Sequence, residues 1–110
     1  MRTPAQDILP SRVKRALSKL GADIAIARRK RKLTVTMLAE RVGVAKSTYL
    51  KVEKGDPTVS MGVYAMTLFV LGLSDALSQI ADVRSDDTGL LLDAERIPKR
   101  VRVKNVPTAS

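Results

Sequence analysis

The 110-residue sequence has no cysteine, histidine or tryptophan, and it contains one phenylalanine and two tyrosines. Without cysteine there are no disulfide bonds or thiolate metal sites, and without histidine the commonest general base and metal ligand is missing. Catalysis would depend on Asp, Glu, Ser or Lys, and no converging group of these is recognisable, so we expect neither an enzyme nor a cofactor or metal site. The few aromatic side chains also argue against stacking platforms for single-stranded nucleic acid.

Long apolar runs are lacking as well. The longest, Met61 to Leu73, is interrupted by Thr67 and is too short to cross a bilayer. The first residues show no secretory signal pattern, so we expect a protein of the bacterial cytoplasm or nucleoid. The length suits one domain with tails and one modest core.

Acidic residues are scarce in the first third of the chain. Of the net charge of +9, residues 1–33 contribute +8, from ten Lys or Arg and two Asp residues. A positive field of this kind favours polyanions and adds salt-dependent affinity for phosphate backbones. The alternative is that the charge serves solubility alone.

Residues 34–55 have the pattern of two short helices joined by a tight turn. In the first helix, apolar residues recur at the i, i+3, i+4, i+7 spacing of one helical face. These residues are Val35, Leu38, Ala39 and Val42. Thr34 can cap this helix, and Gly43 tolerates the positive φ of a sharp turn. The second helix begins near Ala45 and ends at Gly55, with Pro57 just beyond it.

The two faces of the second helix differ in kind. Tyr49 and Val52 form its apolar side. The opposite side, at about 100° per residue, carries three cations, a hydroxyl, one leucine and no acid; its residues are Lys46, Ser47, Leu50, Lys51 and Lys54. Such a face fits the major groove of DNA, where Lys reaches base acceptors or phosphates. The alternative is a solvated basic face on a small helical bundle.

The stretch Gly43 to Gly55 resembles the signature of phage-repressor/Cro-like (XRE family) helix-turn-helix domains. The flanking Leu38-Ala39-Glu40 and Pro57-Thr58-Val59-Ser60 match the family's pattern too, and the resemblance covers roughly residues 20–81. It implies an all-α repressor-like fold and a transcriptional regulator that binds double-stranded DNA.

The resemblance also implies roles for individual residues. Family positions that face bases correspond to Ala45, Lys46, Ser47 and Lys51, and those near phosphates correspond to Thr34, Val35, Thr48 and Lys54. Arg28 and Glu53 match a structural ion pair that ties the first helix to the third. The sequence departs from the family at Val35, where glutamine is common, and at Tyr49, which replaces isoleucine and implies a roomier core. Ala45 offers only a methyl group.

Helices are expected on both sides of the motif. Ser11 can cap a helical stripe that runs to about Lys32, as one long helix or as two. The five cations at its end, residues 28–32, are either a solvated terminus or near DNA phosphates, apart from the inward-pointing Arg28. Ser60 caps a fourth helix to about Leu71, which is apolar nearly all round and therefore implies a partner chain. Ser74 caps a fifth helix, with Leu73, Leu77, Ile80 and Ala81 along one stripe. The fourth and fifth helices are the candidates for the dimer interface, and the alternative is that their apolar surface belongs to an intramolecular core.

The C-terminal segment differs from the rest. Residues 83–89 have the composition of a turn or linker, and Leu90 to Leu92 have no obvious apolar neighbour. Val101 and Val103 alternate with basic residues, as in a strand that pairs with a second copy or another protein, and disorder is the alternative. The ending Glu95 to Arg102 resembles regulators encoded beside HipA-like kinase toxins, the HipB-like antitoxins.

These observations predict an all-α, five-helix domain that works as a homodimer on a pseudo-palindromic operator. We divide the chain into an arm (residues 1–10), a helix-turn-helix domain with dimerisation helices (11–85) and a tail (86–110). The expected mechanism is steric occupation of an operator, so that the protein represses its own small operon. The alternative is a protein-binding module that neutralises a toxin partner, with DNA binding secondary.

Overall fold

The computed structural model describes residues 8–92, which form helices joined by short turns and contain no strand. The α-helices are α1 (Ser11–Lys30), α2 (Val35–Val42), α3 (Lys46–Glu53), α4 (Met61–Val70) and α5 (Asp87–Leu91), with 3₁₀ helices at Ser74–Gln79 and Val83–Ser85. The chain divides into two compact units between Leu77 and Ser78. The all-α prediction is confirmed for the described residues, while the division of the chain at residues 10 and 85 stays a prediction. None of the described helices is long and apolar enough to cross a membrane.

One continuous helix, α1, occupies the region where the sequence allowed one helix or two. Its N-cap is Pro10, with no side-chain hydrogen bond, so the expected cap at Ser11 is wrong. The Pro10 carbonyl accepts from the amides of Val13 and Lys14, which starts the helix without a hydroxyl cap. The helix passes through Gly21, which is buried against the chain that follows α3.

The helix-turn-helix begins and turns where local chemistry predicts. The Thr34 hydroxyl oxygen accepts from the amide of Met37 at 3.1 Å, which confirms the cap of α2. Gly43 has a φ of +87°, and Ala39 O accepts from the amides of Gly43 and Val44, which closes the end of the helix. The fully buried side chains at the centre of the core come from α1, α2, α3 and α4: Ile24, Leu38, Tyr49, Val52 and Thr67.

Helix α4 covers this core with one face only. Ser60 caps it by accepting from the amide of Val63 at 3.2 Å, as predicted. Its inward residues include Tyr64, whose hydroxyl donates to Asp56 O at 2.7 Å, and Thr67, which donates to Val63 O. The opposite face keeps large apolar side chains in solvent, and Phe69 is 63% exposed. An uncovered apolar stripe therefore runs along the outside of α4.

The segment after α4 departs from the prediction. Gly72 has a φ of +79°, and the helix that follows is a 3₁₀ helix that ends at Gln79, before Ile80 and Ala81. Its Leu77 packs against the core.

The expected turn or linker at residues 83–89 is wrong, because a 3₁₀ helix and the start of α5 lie there. Asp82 and Asp86 accept from the amides of Arg84 and Gly89 and so begin these short helices. The predicted strand at Val101 and Val103 and the antitoxin-like ending at residues 95–102 lie outside the described residues.

Candidate nucleic-acid interface

The outer face of α3 is a polar surface that the helix-turn-helix presents to solvent. Val52 and Tyr49 are fully buried, which fixes the rotation of α3 about its axis. This rotation determines which residues face solvent. They are Lys46, Ser47, Leu50 and Lys51 along α3, Ala45 at its N-cap and Lys54 at its C-cap. No side chain on this face is acidic, so the surface is one that an anion can approach.

The predicted phosphate-contact residues do not share one environment. Thr34 is exposed, but its hydroxyl is already engaged as the α2 cap. Val35 packs against the core and Thr48 is half-buried at the edge of α3. A phosphate near Val35 would therefore meet the backbone amides at the start of α2, where the helix dipole favours an anion, and not the valine side chain.

An ion pair joins α1 to α3 behind the exposed face. Arg28 Nε donates to Glu53 Oε2 at 2.6 Å, and the two side chains are 11% and 13% exposed. Arg28 Nη1 also donates to Leu33 O at 2.9 Å, which ties the chain between α1 and α2 to the same guanidinium. The hydrogen bond with Glu53 raises the pKa of Arg28, so the guanidinium is charged at neutral pH.

Tyr49 is a third member of this group, and the sequence did not lead us to predict it. Its hydroxyl donates to Glu53 Oε2 at 2.5 Å, one helical turn along α3. Burial is the largest cause of the raised pKa of Tyr49, and the hydrogen bond with Glu53 is the second largest. The i, i+4 spacing of Tyr49 and Glu53 was the available signal. These three side chains hold α3 against α1, so the orientation of the outer face of α3 depends on a largely buried polar network.

Further exposed cations lie at the end of α1 and at the end of α3. Residues 29–32 at the end of α1 are exposed, and Arg31 Nη1 donates to Ala27 O at 2.9 Å. Lys54 borders a groove of about 350 Å³ between α1 and the chain after α3, lined also by Lys14, Leu17, Ser18 and residues 55–57. Within it, two hydrogen bonds from Thr58 lower the pKa of Asp56, so its carboxylate offsets part of the positive charge.

Metal ligands are not grouped in the part of the chain that the structure describes, where no three acidic side chains come together at one place.

A comparison with protein-family models matches residues 19–79, more than half of the chain, to a helix-turn-helix domain. The match contains α2, α3 and α4 and the part of α1 from Lys19 onward. No curated protein and no solved structure matches the chain significantly.

Proposed function

Because the chain belongs to the helix-turn-helix domain family, we propose that it is a transcriptional regulator of the phage-repressor/Cro-like kind that binds double-stranded DNA sequence-specifically. The observation that carries this proposal is the acid-free outer face of α3, which the burial of Tyr49 and Val52 turns to solvent. A helix of this kind fits the major groove, which is wide enough to admit it and presents a distinct pattern for each base pair. Occupation of an operator next to its own gene would exclude RNA polymerase and repress the operon.

Within this proposal the side chains divide into two groups. Lys46, Ser47 and Lys51 reach base edges, and Ala45 offers its methyl group. The side chains of Thr48 and Lys54, and the backbone at Thr34 and Val35, lie along the phosphates, where they fix the position of the domain without reading sequence. Arg28 and Glu53 hold α3 in place from behind.

The regulator acts as a homodimer, with the exposed stripe of α4 as the seam. Gly62, Met66 and Phe69 lie along this stripe, and Leu73 continues it beyond the helix. A second copy would remove these apolar groups from water, at about 25 cal/mol for each Å² buried. A two-fold dimer presents two α3 helices and so doubles the number of phosphates that one assembly neutralises.

Three single variants test the assignment of base and phosphate contacts. Lys51→Ala should weaken binding to the selected operator more than binding to random duplex DNA, because a good base contact discriminates by roughly 1–3 kcal/mol. Lys54→Ala should weaken both to the same degree and reduce the slope of log K against log salt by about 0.9 for each phosphate that is no longer neutralised. Lys19→Ala is the charge-matched control, since Lys19 already pairs with Asp23 at 2.6 Å on α1.

The control should leave the selectivity for the operator unchanged. Equal losses on both DNAs for Lys51→Ala would mean that Lys51 contacts only phosphate. Failure of the wild-type protein to select any sequence from a random pool would contradict the proposed function itself.

A second candidate function is the binding of a toxin protein, with the chain as its antitoxin. The exposed apolar run at the end of the described chain favours it, since Leu90, Leu91 and Leu92 are 57%, 87% and 66% exposed. Deleting residues 90–110 should then spare DNA binding and abolish co-purification with the product of the neighbouring gene. If the deletion changes neither DNA binding nor the co-purification, the tail has no such role.

A further inference from the structure

Leu50 is the one large apolar residue on the outer face of α3, and its side chain is 39% exposed. Lys46 and Ser47 precede it by one helical turn and Lys54 follows by one turn, so these residues flank it on the same face. The core does not account for this leucine, because the apolar contacts of α3 with the core are made by Tyr49 and Val52. Its position places it between side chains that are assigned to bases and phosphates.

The chemistry of the major groove leaves one favourable neighbour for such a side chain. Every base pair presents hydrogen-bond donors and acceptors there, and the only apolar group is the C5-methyl of thymine. A leucine pressed against a donor or acceptor removes water from that group without replacing its hydrogen bond, which is unfavourable. Against a methyl group, the leucine and its neighbour both leave water favourably.

We propose that Leu50 is a specificity-determining residue that packs against a thymine C5-methyl in each half-site of the operator. The proposal rests on the proposed function, since it requires the outer face of α3 to enter the major groove. It adds a large apolar contact to a face whose other contacts, apart from the methyl group of Ala45, are polar or ionic. The operator should then contain a T·A pair next to the bases contacted by Lys46 and Lys51, and discrimination at that pair should depend little on salt.

Substitution of deoxyuridine for thymidine tests the contact directly, because uracil lacks the C5-methyl and keeps every hydrogen-bonding group. Each thymine of the selected operator is replaced in turn, and dissociation constants are measured for the wild-type protein and for Leu50→Ala. The wild-type protein should lose about fourfold in affinity at one position of each half-site. Leu50→Ala should bind the thymine and uracil operators equally at that position.

Three further variants separate the contact from a general effect on folding. Leu50→Met keeps an apolar side chain and should keep the sensitivity to uracil, whereas Leu50→Gln has a similar length and should lose it. Met37→Ala removes another exposed apolar side chain, on α2, and should respond to uracil as the wild-type protein does. All variants are compared at equal folded fraction, measured by circular dichroism.

Three results would overturn the proposal. One is a wild-type protein that binds its operator and is indifferent to uracil at every thymine. Another is a uracil penalty that Leu50→Ala shares in full, because the methyl would then contact a different residue. The third is an absence of DNA binding by the wild-type protein, which removes the proposed function as well and is thereby distinguished from the first two.

Discussion

Gly21 in α1 and Gly55 after α3 lie backbone against backbone. A Cβ atom placed on Gly21 would be 2.5 Å from the amide nitrogen of Gly55 and 2.6 Å from Glu53 O, which is closer than real Cβ contacts. Gly55 itself has a φ of +69°, and a Cβ there would clash with Leu17 O. The end of α3 is therefore positioned against α1 by two residues that have no side chain.

Gly21→Ala should destabilise the protein, although alanine favours helix by about 1 kcal/mol relative to glycine. The added methyl meets backbone atoms that cannot rotate away, and overpacking of this kind costs typically about 1–3 kcal/mol. Urea denaturation measures the change in the free energy of unfolding. Gly62→Ala is the matched control in α4, where a Cβ would meet only Ser60 Oγ at 3.8 Å. Because Gly62 lies along the proposed dimer seam, both variants are measured at a protein concentration at which the chain is monomeric. Gly62→Ala should be neutral or more stable, and an equal gain at Gly21 would disprove the close crossing.

Removal of one partner of the ion pair behind α3 should lower the free energy of unfolding. Glu53→Ala leaves Arg28 charged and only 11% exposed, and Tyr49 loses the acceptor of its hydroxyl. Breaking a buried pair costs about 3–5 kcal/mol, and we expect the lower end of this range because some solvent reaches both side chains. Glu40→Ala, at an exposed position of α2, should change the unfolding free energy by less than about 0.5 kcal/mol. Similar small effects for both variants would show that the pair contributes little.

The raised pKa values of the two tyrosines predict that the protein loses stability at alkaline pH. Burial raises the pKa of both Tyr49 and Tyr64 above the ordinary value of 10.0, with Glu53 and Asp56 as additional causes. Since the folded state disfavours the phenolate, this contribution to stability is present in full below pH 10.0 and is lost as pH rises through the folded-state pKa values. Because the chain has no other tyrosine, its tyrosinate absorbance reports on these two alone.

The absorbance should rise well above pH 10.0 in the native protein and near pH 10.0 in concentrated urea. The native transition should coincide with the loss of helical circular dichroism. In Tyr49→Phe the remaining signal belongs to Tyr64 and should also titrate late. Ionisation near pH 10.0 while the helices are intact would mean that the phenols are open to water.

The sequence predicted the features of the fold that depend on a few neighbouring residues. Thr34 and Ser60 cap their helices because the hydroxyl and the amide that it accepts from are three positions apart. The turn at Gly43 follows in the same way from the need for a positive φ. The face of α3 that carries the candidate site was predictable from the positions of Tyr49 and Val52 alone.

Features that depend on distant parts of the chain were not predictable in this way. The close approach of Gly21 to Gly55 was not predicted, because the two residues are 34 positions apart in the sequence. Tyr49 was expected to fill a roomier core, and it also joins the polar network with Glu53. Leu77 was expected at the dimer seam, but it packs against the core of its own chain. An apolar stripe does not by itself tell which surface covers it.

The exposed stripe of α4 leads to a prediction that joins dimerisation to DNA binding. Phe69 is 63% exposed on this stripe, so Phe69→Glu places a charge at the proposed seam without disturbing the core. The variant should sediment as a monomer and bind the operator weakly, because each copy alone neutralises few phosphates. Ala22→Glu adds the same charge on the exposed side of α1 and should remain dimeric.

The geometry of a two-fold dimer determines the spacing of the operator. Two α3 helices about one DNA turn apart, roughly 34 Å, require half-site centres about 10 base pairs apart or a multiple of this spacing. Inserting about five base pairs between the half-sites rotates one of them by about half a turn and should abolish tight binding, while about ten should restore part of it. Gel-shift titrations measure these affinities. A wild-type protein that sediments as a monomer at micromolar concentration and protects a single asymmetric half-site would contradict this architecture.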